Sequence, residues 1–176
     1  MYPLVKAMKY STFYDLGSEH SPKLCPLSCL ETRADLTWAM EYVETLVTLN
    51  KGEVTPQRRA LIESALQTMA NGTTDSDERS LGALQVNIQD DHIRDALNIY
   101  TLNGAYGQYL DGTTTDITYS HVNAFELEEL MNHAPQVVTP TLLSLSHEVE
   151  KRLDGRPPLI ILDEAWLALS TPLFAA

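Results

Sequence analysis

The sequence predicts an α/β chain whose sheet is interrupted by an all-helical stretch, and three observations predict it. Residues 10–16 are rich in aromatic and β-branched side chains and stop at Gly17, which reads as a short strand. Residues 35–100 carry apolar side chains at helical spacing only, with no strand signal. Residues 159–162, Leu-Ile-Ile-Leu, follow a long helical pattern as a continuous apolar run. Without alternation, such a run fits a parallel strand covered on both faces. Strand, long helix and buried strand in that order are the grammar of an α/β sheet.

The helical stretch divides by its own punctuation. Residues 35–49 place Leu36, Met40, Val43, Leu46 and Val47 on one face, and Lys51-Gly52 ends that helix. Thr55 caps the next one, Pro56 suits its first turn, and Leu61, Ile62, Ala65, Leu66 and Met69 form its stripe. Asn71-Gly72 stops it. Two shorter helical patterns follow, over residues 80–88 and 91–100. Gly104, Gly107 and Gly112 then mark a loop-rich passage. Residues 122–127 read as a strand, and residues 134–153 as a helix opened by Pro135 and closed by Asp154-Gly155. Pro140 falls inside that helix, where it kinks the helix or shifts its start.

Composition excludes several classes. The chain has 176 residues, 44% apolar and 20% charged, the profile of a globular domain rather than a disordered or fibrous one. Twelve Lys and Arg stand against 24 Asp and Glu, a formal charge of −12. Nonspecific nucleic-acid affinity comes from cations on phosphates, so direct nucleic-acid binding is not expected, and acidic lipids repel such a field. Cys25 and Cys29 are too few for a disulfide scaffold and fit a reducing compartment. The amino terminus lacks the pattern of a signal peptide, and no apolar run approaches a membrane span. These features lead to the expectation of a cytoplasmic domain.

The sharpest chemical signal is the acid pair Asp163-Glu164 directly after the apolar run. Ligands of open parallel sheets bind at the carboxyl ends of the strands. There, one carboxylate suits a phosphate-bound Mg²⁺, and a second suits a base that orients and deprotonates an attacking water. Four apolar residues and two acids alone fit equally a strand that ends in solvated acids.

The wider sequence carries more. Residues 159–167, the acidic segment 125–131 and residues 152–156 resemble the conjugal-transfer ATPases of type IV secretion, the CagE/TrbE/VirB family, and the TrbE branch in particular. Tyr14-Asp15-Leu16-Gly17, Cys25-Pro26-Leu27 and residues 100–107 resemble family segments in the same order. The resemblance implies a RecA-like P-loop NTPase sheet, built from residues 1–30 and 117–176, around a mainly helical insertion over residues 31–116. It also implies a motor that uses ATP and Mg²⁺, forms hexamers with other secretion components, and works at the cytoplasmic face of the inner membrane. By position, Asp163 matches the Walker B aspartate, which holds Mg²⁺ directly or through a water, and Glu164 matches the catalytic glutamate. Glu126, Glu128 and Glu129 match an acidic segment without an assigned role.

One element of the machine is missing from the sequence. A P-loop needs Gly-Lys-Ser/Thr to hold phosphates and Mg²⁺, yet Lys6, Lys9, Lys23, Lys51 and Lys151 never follow a glycine. In the family this Walker A motif lies before the segment matching Tyr14 to Gly17. Residues 165–176 resemble the opening of a helix with no stop signal. The expectation is a chain truncated at both ends, without ATPase activity on its own, and with an exposed apolar strand edge that favours self-association.

Other constellations point less far. His20, His92, His121, His133 and His147 lack zinc spacing, and Cys25 and Cys29 lack a second ligand pair, so both thiols read as small apolar groups. No Gly-x-Ser-x-Gly elbow is present. Residues 75–129 hold 11 acids against Arg79 and Arg94, either a solvated face or a docking surface for a basic partner. Residues 100–107, with Tyr109, form either a site-proximal or inter-subunit loop, or a set of turns whose tyrosines cover a core. Trp166 reads as an anchor for the helix after the strand. The leading function is a segment of a conjugal-transfer motor ATPase, and the alternative is a non-catalytic module that docks on secretion subunits. An acid-cluster nuclease is disfavoured by the net charge.

Overall fold

The computed structural model describes residues 5, 7–72, 78–153, 159–161 and 163. Two strands, β1 (Ser11–Asp15) and β2 (Val122–Glu126), pair in parallel, from Ser11 opposite Val122 to Asp15 opposite Glu126. Between them run α1 (Arg33–Leu49), α2 (Pro56–Gly72), α3 (Leu81–Asn87), α4 (Asp91–Asn98) and α5 (Gly107–Leu110). After β2 come α6 (Glu128–Met131) and α7 (Pro135–Glu150). The architecture is mixed α/β, as the sequence predicts.

Side chains fix most helix starts. Thr32 caps α1: its hydroxyl accepts the Asp35 amide at 3.1 Å, while the Asp35 carboxylate accepts the Thr32 amide at 2.9 Å. Asp35 therefore sits in the first turn as half of a capping box, and the helix begins at Arg33 rather than at residue 35. Thr55 accepts from the Arg58 amide at 3.3 Å, as expected for the cap of α2. Ser80 and Asp90 cap α3 and α4 in the same way. Arg58 then pairs with Asp90 at 3.3 Å and ties α2 to the start of α4.

One apolar cluster runs through the described chain. Tyr42, Val43 and Leu46 of α1, Ile62, Leu66 and Met69 of α2, and Val137, Leu142 and Leu145 of α7 join Leu16, Leu24 and Leu27. The helices between the strands thus share their core with the segments that flank them. α7 runs through Pro140, which is buried, and starts at Pro135, so Pro140 does not shift its start. Pro140 lacks the amide that would bond the Gln136 carbonyl.

Three expectations change. Residues 159–161 lie outside any strand and are exposed, Leu159 by 86%, Ile160 by 57% and Ile161 by 75%. An apolar run becomes a buried strand only where a paired edge and two covering faces receive it, and no described element supplies them here. Two short helices, α5 and α6, appear where loops or a strand end were expected. They are held by tertiary contacts: the Leu130 amide donates to the Leu16 carbonyl at 3.0 Å, and α5 packs on α7. The acidic stretch is not uniformly solvated, because Asp111 is buried and accepts from the Gly82 and Leu102 amides at 2.9 and 2.8 Å.

Candidate functional site

Asp15 and Glu126 occupy matching positions at the carboxyl ends of the paired strands, so their side chains project to the same face. Like charges side by side on a sheet repel, and such a pair favours a proton or a cation between them. Oδ1 of Asp15 is buried and accepts no hydrogen bond.

The chain then turns at Gly17. Its φ of +88° is a left-handed conformation that favours glycine, and a Cβ there would lie 2.4 Å from the Leu130 amide nitrogen. The Gly17 carbonyl accepts from the Tyr109 hydroxyl at 3.2 Å and lies 3.2 Å from Nε2 of His133. An open cleft of about 720 Å³ forms against this turn, lined by Gly17, Glu19, Gln108, Tyr109, Glu129, Asn132 and His133. Tyr109 is buried, and its ring lies 5.8 Å from that of His133. The lining holds two carboxylates and neither Lys nor Arg, so it suits a cation or a hydrogen-bond donor better than a phosphate.

The structure therefore brings three separate sequence segments together. Gly17 closes the first, Gln108 and Tyr109 directly follow the glycine-rich passage, and Glu129 belongs to the acidic one. Both readings of residues 100–107 find support. Tyr100 is fully buried, and a Cβ on Gly107 would meet the Thr101 carbonyl oxygen at 2.0 Å, which fixes a tight turn, while the next two residues line the cleft. Glu128 and Glu129 are exposed and Glu126 half-buried. Sequence spacing gave no sign of Glu19, Asn132 or His133; the strand stop at Gly17 was the one signal that could have led there.

Asp163 is exposed in a turn, and no described side chain bonds to it. Glu164 and Trp166 lie outside the described residues. No described contact joins Asp163 to Glu126, Glu128 or Glu129. What precedes residues 159–163 is firmly held, however. Lys151, just after α7, pairs with Oδ1 of Asp35 at 3.4 Å. Sγ of Cys29 lies 3.7 Å from the same carboxylate. Next to them Trp38 of α1 stacks on His147 of α7 with ring centroids 3.7 Å apart. The Arg152 guanidinium lies 4.1 Å above the Tyr119 ring.

Ionisation follows these contacts. Burial opposes the charge of Asp35, but the Thr32 hydrogen bonds and the Lys151 ammonium together outweigh it and hold the carboxyl below its ordinary value. Burial, helped by the Lys151 charge, lowers His147. Burial also lowers Lys151, yet Cys29 and Asp35 more than reverse that effect and leave it raised. Among the described residues no group of three or more His, Cys, Asp and Glu is placed to hold a metal ion. No described helix is long and apolar enough to cross a membrane.

No family model matches the chain. Among curated proteins, it is 38% identical over 168 residues to a "Probable conjugal transfer protein TrbE" of Sinorhizobium fredii, covering 93% of this chain and 25% of that protein. It is 40% identical over 158 residues to the "Conjugal transfer protein TrbE" of Rhizobium radiobacter, covering 90% of this chain and 19% of that protein. It is 26% identical over 158 residues to a "Type IV secretion system protein virB4" of Bartonella quintana, covering 87% and 20%. The chain thus spans a quarter or less of the length of these relatives. Over about nine-tenths of its length it is homologous to a segment of the TrbE conjugal transfer proteins, with VirB4 proteins of type IV secretion as more distant kin.

Proposed function

We propose that this chain is the segment of a conjugal-transfer motor ATPase that carries the Walker B acids and the acidic edge of a RecA-like sheet, but not the phosphate cradle. The observation that carries the reading is the meeting of three family-like segments in one cleft at the carboxyl ends of parallel strands, where α/β sheets bind ligands. In the complete motor, Asp163 holds Mg²⁺, a hard cation that prefers oxygen ligands, and Glu164 orients and deprotonates the attacking water. Bound Mg²⁺ neutralises charge that develops on the phosphates.

The chain's own residues fit only some of this task. Carboxylates suit the cation, whereas the phosphates need the glycine-rich backbone and lysine that this sequence does not contain. ATP binding therefore belongs to the complete motor, as do hexamer formation, contacts with other secretion subunits and a place at the cytoplasmic face of the inner membrane. The second reading, a non-catalytic docking module, is favoured by the acidic lining of the cleft, which suits a basic partner.

Calorimetry and phosphate-release assays on the purified 176 residues with Mg²⁺ and ATP test the missing cradle. The expected result is neither tight binding nor turnover. Robust magnesium-dependent turnover, lost in Glu164→Gln, would show a self-sufficient site and overturn this reading.

A further inference from the structure

The two-stranded sheet has an outward edge with open backbone groups. The Val122 amide donates to the Tyr10 carbonyl at 3.2 Å, and the Glu126 carbonyl accepts from the Leu16 amide at 3.0 Å. In a parallel ladder the backbone groups of alternate residues face the same neighbour, so residues 122, 124 and 126 face β1. Asn123 and Phe125 then direct their amides and carbonyls away from β1, and no described residue bonds to those groups. Elsewhere in the chain, Leu159, Ile160 and Ile161 form an exposed apolar run of strand-like composition.

Connection geometry links these two features. α1, from the first connection, packs against α7, from the second, so both connections lie on one face of the sheet. Crossovers between parallel strands are right-handed in ~98% of cases. Two right-handed crossovers on one face step in the same direction, so a strand after α7 falls beyond β2 and not beside β1. The path from β2 to Leu159 has the length of an ordinary βαβ unit, roughly 30 residues.

We propose that Leu159, Ile160 and Ile161 seat as a third parallel strand on the outward edge of β2, giving the order β1, β2, then this segment. That seat covers the exposed apolar run and satisfies the outward groups of Asn123 and Phe125. It also brings Asp163 to the same carboxyl edge as Glu126 and Asp15. The inference deepens the proposed function, since it says how the acid pair reaches the site. It is tested without nucleotide, so failure of ATP chemistry and failure of the strand seat are separate results.

Residue-resolved hydrogen exchange on the full chain reads the seat directly. The amides of Asn123 and Phe125 are expected to exchange at least about tenfold more slowly than unstructured amides, equally at low and high protein concentration. NMR contacts between residues 123–125 and 159–161 accompany that protection. Ile160→Asp removes it while Ala124, facing β1, stays protected; Val86→Asp, at another exposed apolar position, changes nothing. Unprotected Asn123 and Phe125 beside a protected Ala124 in the unaltered chain would overturn the proposal. So would protection that disappears on dilution, which would mark pairing with a second copy. Should Ile160→Asp unfold the chain, the NMR contacts in the unaltered chain decide: their presence supports the seat and their absence refutes it.

Discussion

The Leu130 amide donates to the Leu16 carbonyl at 3.0 Å, across a separation of more than a hundred residues, and this bond fixes the floor of the acidic cleft. It requires the chain to pass Leu130 closely at Gly17, so Gly17 is the residue on which the site depends most. A Cβ at 2.4 Å from the Leu130 amide nitrogen cannot be accommodated without backbone movement. Gly17→Ala is therefore expected to cost about 1–3 kcal/mol from the left-handed conformation alone, and more from the clash. Urea denaturation reads this loss, and a variant as stable as the parent would contradict the described turn.

Asp111 separates a structural acid from the solvated ones around it. Its carboxylate accepts the Gly82 and Leu102 amides in a buried setting. Asp111→Ala leaves both amides without a partner, a loss of about 2–4 kcal/mol. Asp91→Ala, whose side chain is 93% exposed, is expected to change stability by less than about 0.5 kcal/mol. Equal effects of the two substitutions in thermal melts would refute this distinction.

His147 predicts a pH dependence. Burial, with the Lys151 charge, lowers its pKa from the ordinary 6.5, and the neutral ring stacks on Trp38. Facing groups on neighbouring elements include Asp35, while Glu150 and Lys151 lie on its own side. Because the folded value is the lower one, the unfolded chain binds more protons as pH falls below 6.5. This contribution is complete above pH 6.5 and lost as pH falls through the folded value. His147→Phe is expected to flatten the melting temperature between neutral and mildly acidic pH. An unchanged slope in that variant would assign the pH response to other groups.

The cap of α1 sets the far end of the segment that leads to the acids. Asp35 completes the capping box and pairs with Lys151 at 3.4 Å. Asp35→Ala is expected to cost about 1–2 kcal/mol, mostly through the cap. Lys151→Met should cost less than about 1 kcal/mol, since that ion pair is partly solvated. Denaturant midpoints of the two variants would show whether the cap or the ion pair matters more.

Much of this was legible in the sequence because local rules act locally. Apolar spacing and Thr55-Pro56 set α2 within its observed bounds, and the aromatic run before Gly17 gave β1. The site was legible only as separate segments. Nothing in the spacing joins Glu19 to Glu129 or aims Tyr109 at Gly17, because those contacts come from strand pairing and from α6 docking on Leu16. The short helices α5 and α6 escaped for the same reason: four residues carry too little periodic signal, and tertiary bonds hold them. The run at residues 159–162 misled in the opposite direction. Its composition is that of a buried strand, yet a strand also needs a neighbour, which composition does not supply.

The central claim is that this chain contributes working Walker B acids to a TrbE-type motor. Its most direct measurement is ATP turnover by a TrbE protein in which residues 11–176 of this chain replace the homologous segment. The account predicts magnesium-dependent hydrolysis by the chimera, and Glu164→Gln should abolish turnover while leaving ATP binding intact. A folded, ATP-binding chimera whose turnover is indifferent to Glu164→Gln would contradict it.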